Sequence, residues 1–266
     1  MADPVADYLD SLSDSRYSRS TLVNRARVLA TLPHPTDLDR DTTQAWWHSR
    51  QTRKDGHPRA AVSLSGEKSH CREFWMWCRQ QGLIDHNPAD WIPKVRQSTT
   101  KAVTVPEGDL WRVMQAANGP MRRMIALAAM AGLRSAEVAV VTWHDIDRGE
   151  GVMHVRGGKG AKDRTVPLSA GLLAELGDPG DGLIIGRPMT AKSVSAAIGR
   201  HMRRNGVNLS AHKLRARYAT RFLAVTGDAL ATAEVLGHTG LGSVMRYAVA
   251  SSDTMRRGAE AAGRIG

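Results

Sequence analysis

The chain has 266 residues, 42% of them hydrophobic, and a formal net charge of +11. That composition excludes a disordered chain and suits one large or two modest domains facing a polyanion, either nucleic acid or an acidic membrane surface. No apolar run approaches the roughly 18 residues that span a bilayer, and the start, Met1-Ala-Asp-Pro-Val-Ala-Asp7, lacks a signal peptide's basic and apolar regions, so a cytoplasmic protein without membrane association is expected.

The first hundred residues read as helical. Asp3 to Leu12 and Ser20 to Leu32 have amphipathic spacing, and Thr42 or Thr43 can cap a helix running through Gln51. From Ala60 to Gln81 a long helix carries Cys71, Phe74, Trp75 and Cys78 at i, i+3, i+4 and i+7, one face turned to a core. On that helix the two cysteines stand about 10.5 Å apart along the axis, too far for a disulfide, and they have no second ligand pair for zinc; they read as reduced core residues. Trp77 lies off the stripe and is the tryptophan with the best claim to base stacking. Gly82 ends the helix. The polar, basic stretch Lys94-Val-Arg-Gln-Ser-Thr-Thr-Lys101 after Pro93 reads as a linker.

Beyond it, Thr104-Val-Pro-Glu107 has the form of a capping box opening a helix to about Ala117. Met121 to Ala131 is a strongly apolar helix stopped by Gly132, with a short helix from Ser135 to Val140. Gly151 to Arg156 alternates like a strand, Gly157 to Gly160 has turn chemistry, and Arg164 to Leu168 is the return strand of a hairpin. Helices resume near Ser169, at Thr190 to Asn205, at Ala211 to Val225 with Ser210 as cap, at Ala229 to Leu236, and at Ser243 to Ala248. The expected fold is mainly α with a small antiparallel β-sheet.

Several residues here suit phosphodiester chemistry without a metal. His212 and Arg215 sit at i and i+3 near a helix N-terminus, which favours an anion, while Leu214, Tyr218, Phe222 and Val225 would hold that helix to the core. His238 follows the Leu236-Gly237 helix end, and Tyr247 follows nine positions later. Arg134 comes just after a buried helix, within salt-bridge reach of Glu137, and Lys159 occupies a glycine-rich hairpin tip; the G-x-x-x-x-G-K-[ST] phosphate loop is absent. Taken singly, each has an ordinary reading: a solvated helix face, a structural histidine, a tyrosine anchor, a surface ion pair, a basic loop.

Together and in this order they resemble the tyrosine recombinases of the phage integrase and Xer family. Gly132-Leu-Arg134-Ser-Ala-Glu137-Val resembles the family's first arginine box. Gly158-Lys159-Gly160-Ala-Lys-Asp-Arg-Thr-Val-Pro-Leu168 resembles its lysine hairpin. His212-Lys-Leu-Arg215 and Leu236-Gly-His238 through Tyr247 resemble its second box and nucleophile. The match runs from about Val103 to Ala250, with Ala216 a departure where the family often has histidine or arginine. No basic arm-binding module is visible, which suits a short integrase acting on core sites.

The resemblance implies a helical, SAM-like core-DNA-binding domain over 1–97, a linker at 98–103, an α+β catalytic domain over 104–250, and a tail at 251–266 that docks on a neighbouring protomer. It implies Arg134, Lys159, His212, Arg215, His238 and Tyr247 as the catalytic set, with no cofactor, metal or ATP. It further implies double-stranded DNA attachment sites as substrate, a homotetramer on DNA, and the accessory partners some members use: an excision or directionality factor, or a host DNA-bending protein. A phage or prophage integrase is the expected function. The rivals are a type IB topoisomerase and a non-catalytic DNA-binding regulator derived from an integrase.

Overall fold

In this computed structural model the residues described are 3–12, 17–96, 103–157, 163–238, 240, 242 and 244–247. The chain divides into two compact units, Met1–Ser98 and Thr99–Gly266.

The first unit is built from α1 (Pro4–Ser11), α2 (Arg19–Leu29), α3 (Arg40–Arg50), α4 (Ala61–Gln80) and a 3-10 turn at Pro88–Trp91. The apolar stripe of α4 behaves as its spacing predicts: Cys71, Phe74, Trp75 and Cys78 are fully buried, against Tyr8, Leu29, Trp46 and Trp47. Burial drives the Cys71 thiol up and that of Cys78 up to about 12, so both stay protonated and inert. Trp77 is half-buried, its ring centroid 5.6 Å from that of Tyr8; it packs at the margin of this core. The start of α3 differs from expectation. Asp39, not Thr42 or Thr43, is the cap: its carboxylate accepts from the Thr42 N–H at 2.7 Å, and the Thr43 hydroxyl donates to its carbonyl. A carboxylate is the stronger acceptor for the first free amides of a helix.

The second unit is organised around α6 (Gly119–Met130), which packs against α5 (Glu107–Gln115), α7 (Ser135–Val138), α8 (Ala170–Leu176), α9 (Ala191–Arg204) and α10 (His212–Thr226). Met124 through Ala129 are all buried, so the second half of α6 is apolar all round and sits at the centre. Beside the helices lies an antiparallel sheet, β1 (Ile146–Asp147), β2 (Val152–Val155) and β3 (Arg164–Pro167), in that order. The hairpin register pairs Met153 with Val166 and Val155 with Arg164, and all four of these side chains turn inward. α11 (Ala229–Leu236) contacts β3 and α10, and a 3-10 turn at Met245–Tyr247 rests on α10.

Three local expectations change. α5 begins at Glu107 behind Pro106, with no side-chain cap; Thr104 does not form a capping box, because the Glu107 carboxylate is taken by Arg217 at 2.7 and 2.8 Å and by Arg221 at 2.9 Å. α10 has Ala211, itself in helical conformation, at its start and no side-chain cap from Ser210. Its apolar stripe stops at Phe222; the last turn, closed by Gly227, leaves Val225 85% exposed. No described helix is long and apolar enough to cross a membrane.

Candidate active site

The site is assembled on the C-terminal end of α11. That helix closes in a Schellman turn: Gly237, at φ 62°, donates to the Glu234 carbonyl, and the His238 N–H donates to that of Ala233. The three carbonyls that follow have no helical partner, and each receives a different arginine. Val235 O accepts from Arg164 Nε at 2.8 Å, Leu236 O from Arg215 Nη2 at 2.6 Å, and Gly237 O from Arg134 Nη2 at 2.9 Å. The negative end of a helix dipole adds to the attraction.

A single carboxylate ties these guanidiniums together. Glu137 accepts from the Arg134 backbone N–H at 2.7 Å and from Arg134 Nη1 at 2.9 Å. Its two oxygens also receive Arg164 Nη1 and Nη2, both at 2.9 Å. Arg215 Nη1 lies 3.7 Å from it and donates to the Gly132 carbonyl at 2.5 Å. Burial by itself would raise the Glu137 carboxyl, but the Arg164 hydrogen bonds, then the Arg134 amide, hold it below the ordinary carboxylate value. Burial, then the neighbouring Arg134 charge, lowers Arg215 to about 10 against the pull of Glu137, so it remains a cation at neutral pH. Three guanidiniums share one carboxylate. The cluster carries excess positive charge in a partly desolvated place, where an incoming anion is strongly attracted.

Of the six residues singled out from the sequence, the structure brings four together. His238 Nε2 lies 3.2 Å from Arg215 Nη2, and the His238 ring faces that of Tyr247 with centroids 6.4 Å apart at 22°. Tyr247 sits on its 3-10 turn, 5% exposed, which is more buried than a half-exposed anchor; it is near enough to Arg215 for the two to interact electrostatically. Arg134 is the most open of the three arginines, with 37% of its side chain exposed. His212 is the first residue of α10, three before Arg215, and is exposed. Lys159 and the tail 251–266 lie outside the described residues.

Two glycines are required by this packing. A Cβ at Gly132 (φ 67°) would stand 2.5 Å from the Tyr218 ring, and one at Gly237 would stand 3.1 Å from Arg164 Nη1. Arg164 is not among the six residues singled out from the sequence, and Glu137 is expected there only as a surface partner of Arg134. A signal for Arg164 existed: it occupies an inward position of β3 two residues before the buried Val166, and a charge placed there demands a buried partner.

Residues 105–253, more than half of the chain, match the Phage integrase family. The chain belongs to that family, the tyrosine recombinases. It is 30% identical over 224 residues to the tyrosine recombinase XerA of Thermococcus kodakarensis, covering 79% of this chain and 78% of that one. It is also 30% identical over 208 residues to XerC of Yersinia pestis, covering 70% and 68%. Among solved structures, a lambda integrase dimer bound to a core site superposes with a TM-score of 0.74 at 18% identity, covering 92% of this chain and 93% of that one. The Tn1549 transposon integrase in complex with transposon right end DNA gives 0.78 at 16% identity, covering 98% of each. The mainly helical fold with a three-stranded antiparallel sheet is therefore that of a tyrosine recombinase, and the protein is an enzyme of that class.

Proposed function

We propose that this tyrosine recombinase is a site-specific enzyme of the phage or prophage integrase kind, which cuts and rejoins DNA through a 3′-phosphotyrosyl intermediate. The observation that carries the reading is the convergence of Arg134, Arg215, His238 and Tyr247, from four separate segments, on the end of one helix. The net charge of +11 supports DNA as the partner, as do the two structural neighbours, which hold a core site and a transposon end.

Each residue then has a role. Attack on a phosphodiester builds negative charge on the non-bridging oxygens. Arg134 and Arg215 offer planar, charge-assisted donors to those oxygens, and His238 adds a hydrogen bond. The Tyr247 hydroxyl gives its proton to His212 and forms the bond to phosphorus. The bond from phosphorus to the 5′-oxygen breaks, and that oxygen takes a proton from Lys159. The phosphotyrosyl link conserves the bond, so a 5′-hydroxyl from a partner strand reverses the step and restores the phenol. Exchange between two duplexes needs four protomers, which the tail 251–266 would join by docking on a neighbour. The helical unit 1–97 would bind the core site, and an excision factor or DNA-bending protein would set direction.

A nicked suicide site taken from any short duplication flanking the gene tests this. The unchanged protein should give a denaturation-resistant protein–DNA adduct, and Tyr247→Phe should bind the site and give none; an adduct from Tyr247→Phe ends the proposal. Relaxation of a plasmid lacking the site, without recombinants, would mark a topoisomerase. The XerA and XerC relatives favour a second assignment, an Xer-type recombinase. A gene with no flanking duplication would favour it.

A further inference from the structure

We propose that Arg164 is a positioning residue for strand transfer. It holds the Glu137 carboxylate and the last turn of α11 in the one arrangement that aims Arg134 and Arg215 at the scissile phosphate. The inference rests on the phosphate-binding role given to those two arginines above.

Arg164 is built into the protein's own hydrogen bonds. Its side chain is 4% exposed, and all three of its nitrogens are committed: Nε to the Val235 carbonyl, Nη1 and Nη2 to the two oxygens of Glu137. Arg134 differs in being 37% exposed, and Arg215, buried like Arg164 at 3%, differs in having its Nη2 3.2 Å from His238, whose ring faces Tyr247. Arg164 links segments far apart in the chain, joining β3 to α7, 27 residues away, and to α11, 71 residues away. Through Glu137 it fixes the backbone and the guanidinium of Arg134. Through Val235 it fixes the turn whose next carbonyl holds Arg215 and whose next histidine is His238.

The planar fork explains why arginine stands here. A guanidinium meets a carboxylate with two parallel bonds and a carbonyl with its third nitrogen in one plane, whereas an ammonium is a point charge and cannot. The missing side chain of Gly237 makes room for that plane, since a Cβ there would stand 3.1 Å from Arg164 Nη1, 3.2 Å from Cδ and 3.4 Å from Cζ. A pair this buried adds little net stability compared with apolar replacements of the same volume. Its value is in geometry: a displacement of about 1 Å in a catalytic group can cost about a hundredfold in rate.

The test is single-turnover cleavage of the nicked suicide site by the full-length protein at saturating concentration, with the DNA dissociation constant and the unfolding midpoint measured for each variant. Arg164→Lys is expected to slow cleavage about a hundredfold and to leave the dissociation constant within about threefold of the unchanged protein. Arg164→Met should do the same. Because it takes two buried hydrogen bonds from Glu137 it can fail to fold, so the pair Arg164→Met/Glu137→Met, which removes both members of that buried contact, is measured beside Glu137→Met. Because Arg164 holds Val235 as well as Glu137, the pair should cleave more slowly than Glu137→Met alone, by less than the product of the two single losses. Three results overturn the proposal: near-native cleavage by Arg164→Lys, losses that multiply in the pair, or a loss that lies in DNA affinity and not in rate. Absence of any adduct from the unchanged protein is a different outcome, which removes the strand-transfer reading and this role with it.

Discussion

Three glycines of the C-terminal unit have nearly the same positive φ, 67° at Gly132, 68° at Gly227 and 62° at Gly237. Alanine at any of them meets the same left-handed penalty, about 1–2 kcal/mol. What differs is the space around each. A Cβ at Gly227 meets nothing within 4 Å; at Gly237 it comes to 3.1 Å from Arg164 Nη1, and at Gly132 to 2.5 Å from Tyr218 Cδ1. Overpacking adds about 1–3 kcal/mol where neighbours cannot give way. The Tyr218 ring, packed against the core, has less room to give than the end of an arginine. The expected losses are therefore about 1–2 kcal/mol for Gly227→Ala, roughly 2–5 for Gly237→Ala, and at least as much for Gly132→Ala. Urea unfolding of the full-length protein, compared at constant m value, measures all three. Cleavage separates them further: Gly237→Ala displaces Arg164 and the turn before His238 and should slow adduct formation, whereas Gly227→Ala should not. Equal losses at the three positions, or the largest at Gly227, would refute the packing argument.

Other outcomes follow from the charge cluster and the site. Glu137→Gln leaves three guanidiniums without their carboxylate, and breaking a buried pair costs about 3–5 kcal/mol; a loss of stability near zero in urea unfolding at pH 7 would contradict the arrangement. Because the folded Glu137 carboxyl is held below its ordinary value, its contribution is complete above the unfolded pKa and disappears as pH falls through the folded one. The gap between the unchanged protein and Glu137→Gln should thus close on acidification, and a gap that widens would reverse the sign of this reasoning. Nitration of the DNA-free protein should reach Tyr17, 39% exposed, well before Tyr247, 5% exposed, as read by peptide mass spectrometry; equal rates would mean that the tyrosine stands open without DNA. Lys159→Ala should slow cleavage of an ordinary strand far more than that of one whose leaving oxygen is replaced by sulfur, since a thiolate leaves without a proton; equal slowing would remove Lys159 from the acid role.

Local order was legible in the residues themselves. The 3.6-residue spacing of Cys71, Phe74, Trp75 and Cys78 is enough to define the buried face of α4, and the alternation around Met153, Val155 and Val166 defines the hairpin. Gly132 and Gly237 mark helix ends because only glycine enters the left-handed region freely. Two caps differ: the Asp39 carboxylate, three residues before Thr42, takes the cap from the threonine hydroxyls, and Glu107 is drawn off by Arg217, 110 positions away, which no local window reveals.

Arg134, Arg215, His238 and Tyr247 stand out in the sequence by type and order, and their meeting point does not. Arg134 reaches Gly237 across 103 positions, Arg215 reaches Gly132 across 83, and Arg164 reaches Val235 across 71. Periodicity and turn chemistry act over a few residues and so are written locally. Which free carbonyls a guanidinium finds, and which carboxylate three arginines must share, is decided only when α6, β3, α10 and α11 pack into one core, because hydrogen bonds of that kind depend on distances in space and not along the chain.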